Sequence, residues 1–205
     1  MKGGIVMGKV ITIGREFGSN GRAIAQKLAK VLNIGFYDKE IIHLAAEKTN
    51  LSEEMVQKAD ESKANPWFYE IANYDIGRGY ISVETVNDAA FRAESKVIKQ
   101  IAEDEDCIIV GRCADYILRE KTDSRHIFIY APLNFRIQTV CKRDQLSERD
   151  AASVVKKMDK RRRQYYNYYT DRDWNDLRQY DMAFDASIFS VQEAVDLLAA
   201  VYRHL

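Results

Sequence analysis

The chain has 205 residues, of which 46% are hydrophobic, and 31 Lys and Arg residues balance 31 Asp and Glu residues. This composition suits one sizeable folded domain and excludes a wholly disordered chain. The zero net charge excludes a globally basic nucleic-acid-binding protein, so any basic surface has to be local. The three cysteines are widely spaced, which is typical of reduced thiols rather than of a disulfide framework.

The sequence also argues against a membrane protein. No apolar run reaches the length of about 18 residues that a membrane span requires. The first nine residues are too short and too rich in glycine for a secretory signal peptide. We therefore expect a cytoplasmic protein with no membrane partner, and its oligomeric state stays unknown.

The N-terminal stretch VITIGREFGSNGRAIAQKLAKVL, residues 10–32, has the pattern of a strand, a glycine-rich loop and a helix. Its first four residues are mostly β-branched and apolar, and a helical period begins at Arg22. In such an arrangement backbone N–H groups and a helix N-terminus converge on an anion, usually a phosphate. The loop alone is compatible with phosphate binding and equally with an ordinary turn.

The loop departs from the phosphate-loop motif G-x-x-x-x-G-K-[ST]. With Gly21 as the second glycine, Glu16 stands where the first glycine belongs. Arg22 then replaces the lysine, and Ala23 replaces the hydroxyl residue that usually ligates Mg²⁺. Either Ser19 or water has to substitute for that ligand if the metal is bound.

Strands and helices alternate through the rest of the chain. Further strands are predicted at residues 34–37, 107–110, 126–130 and 182–185. Helices are predicted at residues 38–49, 52–60, 85–102, 114–118, from 134, 147–169 and 190–205. This alternation predicts the α/β class, with about five parallel strands in a sheet that helices cover on both faces.

One internal stretch breaks the alternation. Residues 65–80 are rich in aromatic side chains and glycine and have no clear period. They are predicted to form a mobile or irregular insertion, which closes over substrate or simply packs onto the core.

Polar residues follow two of the predicted strands. Tyr37 and Asp38 come at the end of the second strand, and Gly111 and Arg112 follow the buried strand CIIV. Ligands of open α/β sheets bind beyond the carboxyl ends of the strands, so these residues are candidate contacts. A helix-capping aspartate and a packed tyrosine explain Tyr37 and Asp38 equally well.

The stretch KKMDKRRRQYYNYY, residues 156–169, is basic and aromatic, and it lies in the long predicted helix. Asp159 and Arg162 are three residues apart and share a face of that helix. Three interpretations stay open: a solvated charged helix, arginines that close over nucleotide phosphates, or a binding site for single-stranded RNA.

Taken together, five stretches resemble the cytidylate-kinase-like P-loop proteins, a branch of the nucleoside monophosphate kinases. They are GREFGSNGRAIAQKLA, FYDKEII, IIVGRCADYIL, IFIYAPLNFRI and DKRRRQYYNYYTDRDW, and they span nearly the whole chain. The resemblance implies a P-loop NTPase fold, a three-layer α/β/α domain over residues 1–205 with a helical lid at about residues 147–172. Residues 52–82 would then be a small helical and aromatic insertion on the acceptor side.

The resemblance also implies roles for individual residues. The donor phosphate loop would be formed by Gly18, Ser19, Asn20, Gly21, Arg22 and Ala23. Arg22 and Arg162 would be catalytic, and Asp159 with Arg162 would match the D-x-x-R pair of the lid that reads the cytosine ring and reaches the nucleotide. The other acceptor contacts would be Tyr37, Asp38, Arg112 and Arg136.

The function that the resemblance implies is transfer of the ATP γ-phosphate to CMP, dCMP or a related small acceptor, with Mg²⁺ bridging the donor phosphates. The partners are then a nucleotide donor and a small-molecule acceptor, and nucleic acid is not expected. Two alternatives remain: a nucleotide-binding regulator without turnover, which the altered loop suggests, and an RNA-binding module that uses residues 156–169.

Overall fold

The computed structural model describes residues 8–47, 70–74 and 81–205. The strands are β1 (Val10–Arg15), β2 (Gly35–Tyr37), β3 (Glu70–Tyr74), β4 (Ile81–Thr85), β5 (Cys107–Val110), β6 (Ser124–Tyr130) and β7 (Met182–Asp185). Five of them form one parallel sheet in the order β2-β5-β1-β6-β7. The predicted α/β class and the predicted parallel sheet are confirmed.

Helices cover both faces of this sheet. They are α1 (Gly21–Leu32), α2 (Glu40–Glu47), α3 (Val86–Asp104), α4 (Ala114–Ile117), α5 (Leu133–Asp144), α6 (Glu148–Thr170) and α7 (Val191–Arg203). Helices α1 and α7 pack together on one face, and α2 packs with α3 on the other. The protein therefore has the three layers that the resemblance implies.

The centre of the sheet is buried on both sides, because alternate residues of one strand join different cores. Ile11 and Ile13 of β1 pack against the α1 and α7 side. Val10 of the same strand packs against the α2 and α3 side. The run Cys107–Val110 is almost wholly inaccessible to solvent, as its continuous apolar sequence predicts.

Local signals mark the starts of the two long C-terminal helices. The Ser147 side chain accepts a hydrogen bond from the backbone N–H of Asp150 at the start of α6. Ser190 and Glu193 form a complete reciprocal capping box at the start of α7. Both helices begin within one residue of the predicted positions 147 and 190, because each cap satisfies N–H groups that the helix itself leaves unbonded.

The prediction of irregular structure for residues 65–80 is wrong where the structure describes them. Strands β3 and β4 pair antiparallel, with Glu70 opposite Thr85 and Tyr74 opposite Ile81. A strand of this kind is stabilised by cross-strand pairing with a later segment, which a local period does not reveal. The helix predicted at residues 52–60 lies outside the described residues.

No described helix combines the length and the apolar character that crossing a bilayer requires.

Candidate functional site

A cleft of about 690 Å³ opens at the carboxyl edge of the parallel sheet. It lies between the loop after β1, the ends of β2 and β5, and helix α6. This is the edge at which open α/β sheets bind ligands, and the volume is in the range of small-molecule sites. The predicted site residues Arg22, Asp38, Arg112 and Arg162 all line this cleft.

The cleft is strongly cationic although the chain as a whole is neutral. Its described lining contains three acidic residues: Asp38, Asp115 and Asp144. Against these it contains seven basic residues: Arg15, Arg22, Lys39, Arg112, Arg143, Arg161 and Arg162. An excess of positive charge in a concave site attracts ligands that carry several negative charges, such as nucleotide phosphates.

The glycine-rich loop between β1 and α1 is built so that only glycine fits at two positions. Gly18 has φ of +84°, and a Cβ there would lie 2.7 Å from the carbonyl oxygen of Arg136. A Cβ on Gly21 would lie 2.8 Å from the Cβ of Arg15. Asn20 adopts a left-handed conformation with φ of 64° and leads directly into α1. The loop therefore presents the N-terminus of α1 at the cleft, which favours an anion there.

Ser19 holds the loop in place and does not reach the cleft. Its side chain is fully buried, and its hydroxyl is within hydrogen-bonding distance of two carbonyl oxygens, 2.9 Å from that of Glu16 and 3.1 Å from that of Ile129. Ala23 is exposed and has no hydroxyl. No group of three His, Cys, Asp or Glu residues suited to a metal occurs in the described part of the chain. The usual P-loop ligand for Mg²⁺ is therefore missing, and Ser19 does not replace it.

Asp38 joins two arginines at the mouth of the cleft. Its carboxylate is 2.6 Å from Nε of Arg22 and 3.4 Å from an η nitrogen of Arg15. The Asp38 side chain is almost completely buried, whereas that of Arg22 is 53% exposed. The carboxylate thus orients the arginine that stands in the position of the P-loop lysine. Tyr37 points elsewhere, because its hydroxyl donates to Glu105 and its side chain does not line the cleft.

Behind the loop lies a buried ionic cluster of Glu16, Arg136 and Asp159. The guanidinium of Arg136 is 2.5 Å from Asp159 and 3.2 Å from Glu16, and it also donates to the carbonyl oxygens of Ala131 and Phe17. Asp159 accepts a 2.8 Å hydrogen bond from the backbone N–H of Phe17. Burial raises the pKa of the Glu16 carboxyl. The cluster fixes the position of the loop against α5 and α6.

Helix α6 is anchored to the core on its cleft side. Arg162 donates to the backbone carbonyl of Arg15 at 2.9 Å, and its guanidinium lies 5.3 Å from the centre of the Phe17 ring. Farther along α6, the Tyr166 hydroxyl donates to Asp115 at 2.6 Å. Burial raises the pKa of the Asp115 carboxyl. These bonds place α6 along one whole wall of the cleft.

A sequence model described as the cytidylate kinase-like family matches residues 10–188. The chain belongs to the cytidylate kinase-like family. A cytidylate kinase of Saccharolobus islandicus is 26% identical over 190 residues, which cover 92% of this chain and 88% of the relative. A cytidylate kinase of Pyrococcus abyssi is 29% identical over 110 residues, which cover 52% of this chain and 59% of that relative.

Solved structures show the same fold. An uncharacterized protein from Eubacterium ventriosum is 28% identical with a TM-score of 0.70, covering 95% of this chain and 98% of the other. A shikimate kinase from Bacteroides thetaiotaomicron is 11% identical with a TM-score of 0.53 over the same shares of the two chains, and here the likeness concerns the fold alone. Its family makes this chain a kinase-family enzyme, and the solved structures show that its fold is that of P-loop kinases.

The residues to which the resemblance assigns acceptor contacts lie in two different places in the structure. Arg112 lines the cleft, and its guanidinium pairs with Glu94 at 2.7 Å. Arg136 and Asp159 are buried behind the loop and are not among the cleft-lining residues. Both side chains belong to the buried ionic cluster behind the loop, and the acceptor contacts that the resemblance implies for them stay a prediction.

Sequence reasoning missed three residues that shape the site: Arg15, Glu94 and Asp115. Arg15 ends β1 and could have been found as a charged side chain at a strand end. Glu94 is 1% exposed and holds both Arg112 and the hydroxyl of Tyr165. A glutamate within an amphipathic helix gives no local signal for such a role, because its burial depends on elements that are distant in sequence.

The basic side chains of α6 point in different directions, because successive residues of a helix lie on different faces. Some of them line the cleft, and others are exposed to solvent. Arg161 and Arg162 line the cleft. Lys156, Lys160 and Arg163 are exposed. The interpretation of this stretch as an RNA-binding surface stays a hypothesis, and it now concerns only the cations that are exposed to solvent.

Proposed function

We propose that this enzyme transfers the γ-phosphate of ATP to CMP, dCMP or a closely related nucleoside monophosphate. The observation that carries the proposal is that Phe17 and Arg22, which flank the glycine-rich loop, line one cationic cleft together with the arginines of α6. Phosphoryl transfer needs a donor loop and concentrated positive charge more than it needs an acid–base pair. The name cytidylate kinase of the relatives from Saccharolobus islandicus and Pyrococcus abyssi supports the choice of acceptor.

The donor is proposed to bind at the start of α1. Residues Gly18, Asn20 and Gly21 shape a loop whose N–H groups and helix N-terminus suit phosphate oxygens. Ser19 supports this loop from behind. Arg22 would supply the positive charge that lysine supplies in other P-loops, and Asp38 sets the direction of its side chain.

The arginines of the opposite wall are proposed to neutralise charge during transfer. Arg143 and Arg162 lie against the Phe17 ring, with their guanidinium carbons 4.9 and 5.3 Å from the ring centre. Arg161 lines the same wall. Negative charge spreads over the transferred group in the transition state, so fixed guanidinium groups lower the barrier through electrostatic stabilisation and positioning. No covalent intermediate is needed.

The acceptor is proposed to bind between the ends of β2 and β5. Arg112 lies there with its guanidinium fixed by Glu94, and Lys39 and Asp115 line the same region. A positioned arginine binds an anionic acceptor without first losing side-chain freedom, which favours a productive geometry.

The proposal is tested by ADP release with MgATP and a panel of acceptors: CMP, dCMP, UMP, AMP, GMP, cytidine, shikimate and gluconate. We expect turnover with CMP or dCMP and none with the acceptors that lack a phosphate. The Arg162→Ala variant is expected to lower this turnover at least about tenfold, because it removes a guanidinium from the cleft wall. The Lys160→Ala variant, which removes an exposed cation of the same helix, is the matched control. Absence of ADP with every monophosphate would contradict the proposal.

Mg²⁺ is proposed to arrive with the nucleotide, since the residues of the loop do not form a site for it. When bound, it would neutralise part of the charge on the donor phosphates. We expect that Mg²⁺ alone leaves the melting temperature unchanged, whereas ATP with Mg²⁺ raises it, because only a ligand that binds the native state stabilises it. A thermal shift assay with and without EDTA measures this. Stabilisation by Mg²⁺ in the absence of nucleotide would reveal a protein-based metal site.

A second function, nucleotide binding without turnover, is favoured by one observation. Arg22 is already paired with Asp38, and the neighbouring Ala23 lacks the hydroxyl of active P-loops. For a protein that binds nucleotide without turnover, we expect ATP to raise the melting temperature, whereas ADP is released with none of the acceptors. The two measurements above therefore separate a kinase from a nucleotide-binding regulator.

A further inference from the structure

We infer that Arg15 binds the phosphate group of the acceptor monophosphate. The inference rests on the proposed function and adds a residue to which neither the loop motif nor the family resemblance gives a role. Arg15 is the last residue of β1, its side chain is 16% exposed, and it lines the cleft. It stands directly before the donor loop, so a phosphate that it binds lies close to the donor phosphates.

The guanidinium of Arg15 has a close neighbour in Gly111. Gly111 follows β5 with φ of +79°, and a Cβ there would lie 2.1 Å from Nη1 of Arg15. The guanidinium therefore lies directly on the backbone of Gly111, across the ends of two neighbouring strands. The positive φ favours glycine at this position, and a side chain there would also displace the end of the Arg15 side chain.

In the proposed site, the guanidinium of Arg15 keeps its long ion pair with the Asp38 carboxylate while it binds the acceptor phosphate. The two groups are 3.4 Å apart, compared with 2.6 Å between Arg22 and the same carboxylate. Both guanidinium groups lie in a cleft whose described lining is cationic. A planar guanidinium offers five N–H donors, so it can keep one carboxylate and still bind a phosphate.

Arg112, held by Glu94, is proposed above as a further acceptor contact, and three other arginines of the site are placed for different contacts. Arg136, to which the resemblance gives the acceptor phosphate, is buried in the cluster with Glu16 and Asp159. Arg22 starts α1 on the donor side, and Arg162 lies on Phe17 across the cleft. Arg15 is the described arginine that lies on the sheet edge between the donor loop and Gly111.

The test measures binding without turnover, by calorimetry of CMP and of cytidine with the full chain and no ATP. For the wild-type protein we expect CMP to bind more tightly than cytidine. In Arg15→Gln this preference for the phosphate is expected to fall about 10- to 100-fold, while the affinity for cytidine is unchanged. The Lys27→Gln variant removes an exposed cation from α1 and is the matched control.

Two further variants guard against a loss of folding. Gly111→Ala keeps every charge but forces the guanidinium away, so it is expected to reduce the preference for CMP in the same manner. Arg15→Lys keeps the positive charge and is expected to retain part of the preference for CMP over cytidine. Circular dichroism checks that each variant is folded, and the folded variants decide the result.

The inference is overturned if the wild-type protein binds CMP no better than cytidine, or if Arg15→Gln keeps the full preference. Because binding does not require transfer, this result is independent of the ADP assay. A wild-type protein that binds CMP through Arg15 but never releases ADP would contradict the proposed kinase reaction and leave the phosphate site standing.

Discussion

Replacing Arg22 with alanine is expected to lower the kcat of ATP-dependent phosphoryl transfer by about 10³-fold, the scale on which a phosphate-binding guanidinium acts. Arg22 is the second residue of α1, and its side chain is half exposed at the mouth of the cationic cleft. It stands in the position of the P-loop lysine, where positive charge stabilises the donor phosphates most strongly as the bond to the leaving group breaks.

Two further variants test whether the effect of Arg22→Ala is due to the loss of the positive charge at this position. Arg22→Lys restores the residue of the common motif and is expected to keep a substantial part of the turnover. Lys27→Ala removes an exposed cation five residues farther along α1 and is expected to behave like the wild-type protein. Initial rates of ADP release, measured over a range of ATP concentrations, separate kcat from KM. Full activity of Arg22→Ala would mean that the loop uses another cation for the donor.

Replacing Arg136 with methionine is expected to lower the free energy of unfolding by about 3–5 kcal/mol, the usual cost of removing one partner from a buried ion pair. Arg136 is 7% exposed and faces the carboxylates of Glu16 and Asp159. Without it, two acidic groups remain close together behind the loop with no cation between them. The carbonyl oxygens of Ala131 and Phe17 lose a donor as well.

Urea denaturation, followed by circular dichroism, measures this change for Arg136→Met. The matched control is Arg178→Met, which breaks the exposed pair with Asp176 and is expected to have no measurable effect on stability. A stable Arg136→Met protein that binds CMP poorly would instead support the role in acceptor binding that the family resemblance implies. The experiment therefore separates a residue that supports the loop from one that contacts the substrate.

The sequence was sufficient where structure depends on neighbours along the chain. The apolar run Cys107–Val110 predicted a buried strand, and the helix predicted from residue 190 begins at the capping box of Ser190 and Glu193. The alternation of strands and helices predicted the parallel sheet, and parallel strands bring their carboxyl ends to one edge. Candidate residues at strand ends, such as Asp38 and Arg112, consequently line one cleft.

Tertiary structure alone decided the direction and the partner of each charged side chain. Phe17 and Asp159 are 142 residues apart in sequence and share a hydrogen bond, and Arg112 depends on Glu94, 18 residues before it. The same holds for Arg136, which a motif places in the site but packing places behind the loop. A local pattern records which residues are available at a strand end or on a helix. The contacts between these residues depend on burial and on the balance of charge between elements that are distant in sequence. Burial and charge balance are established only when the chain folds.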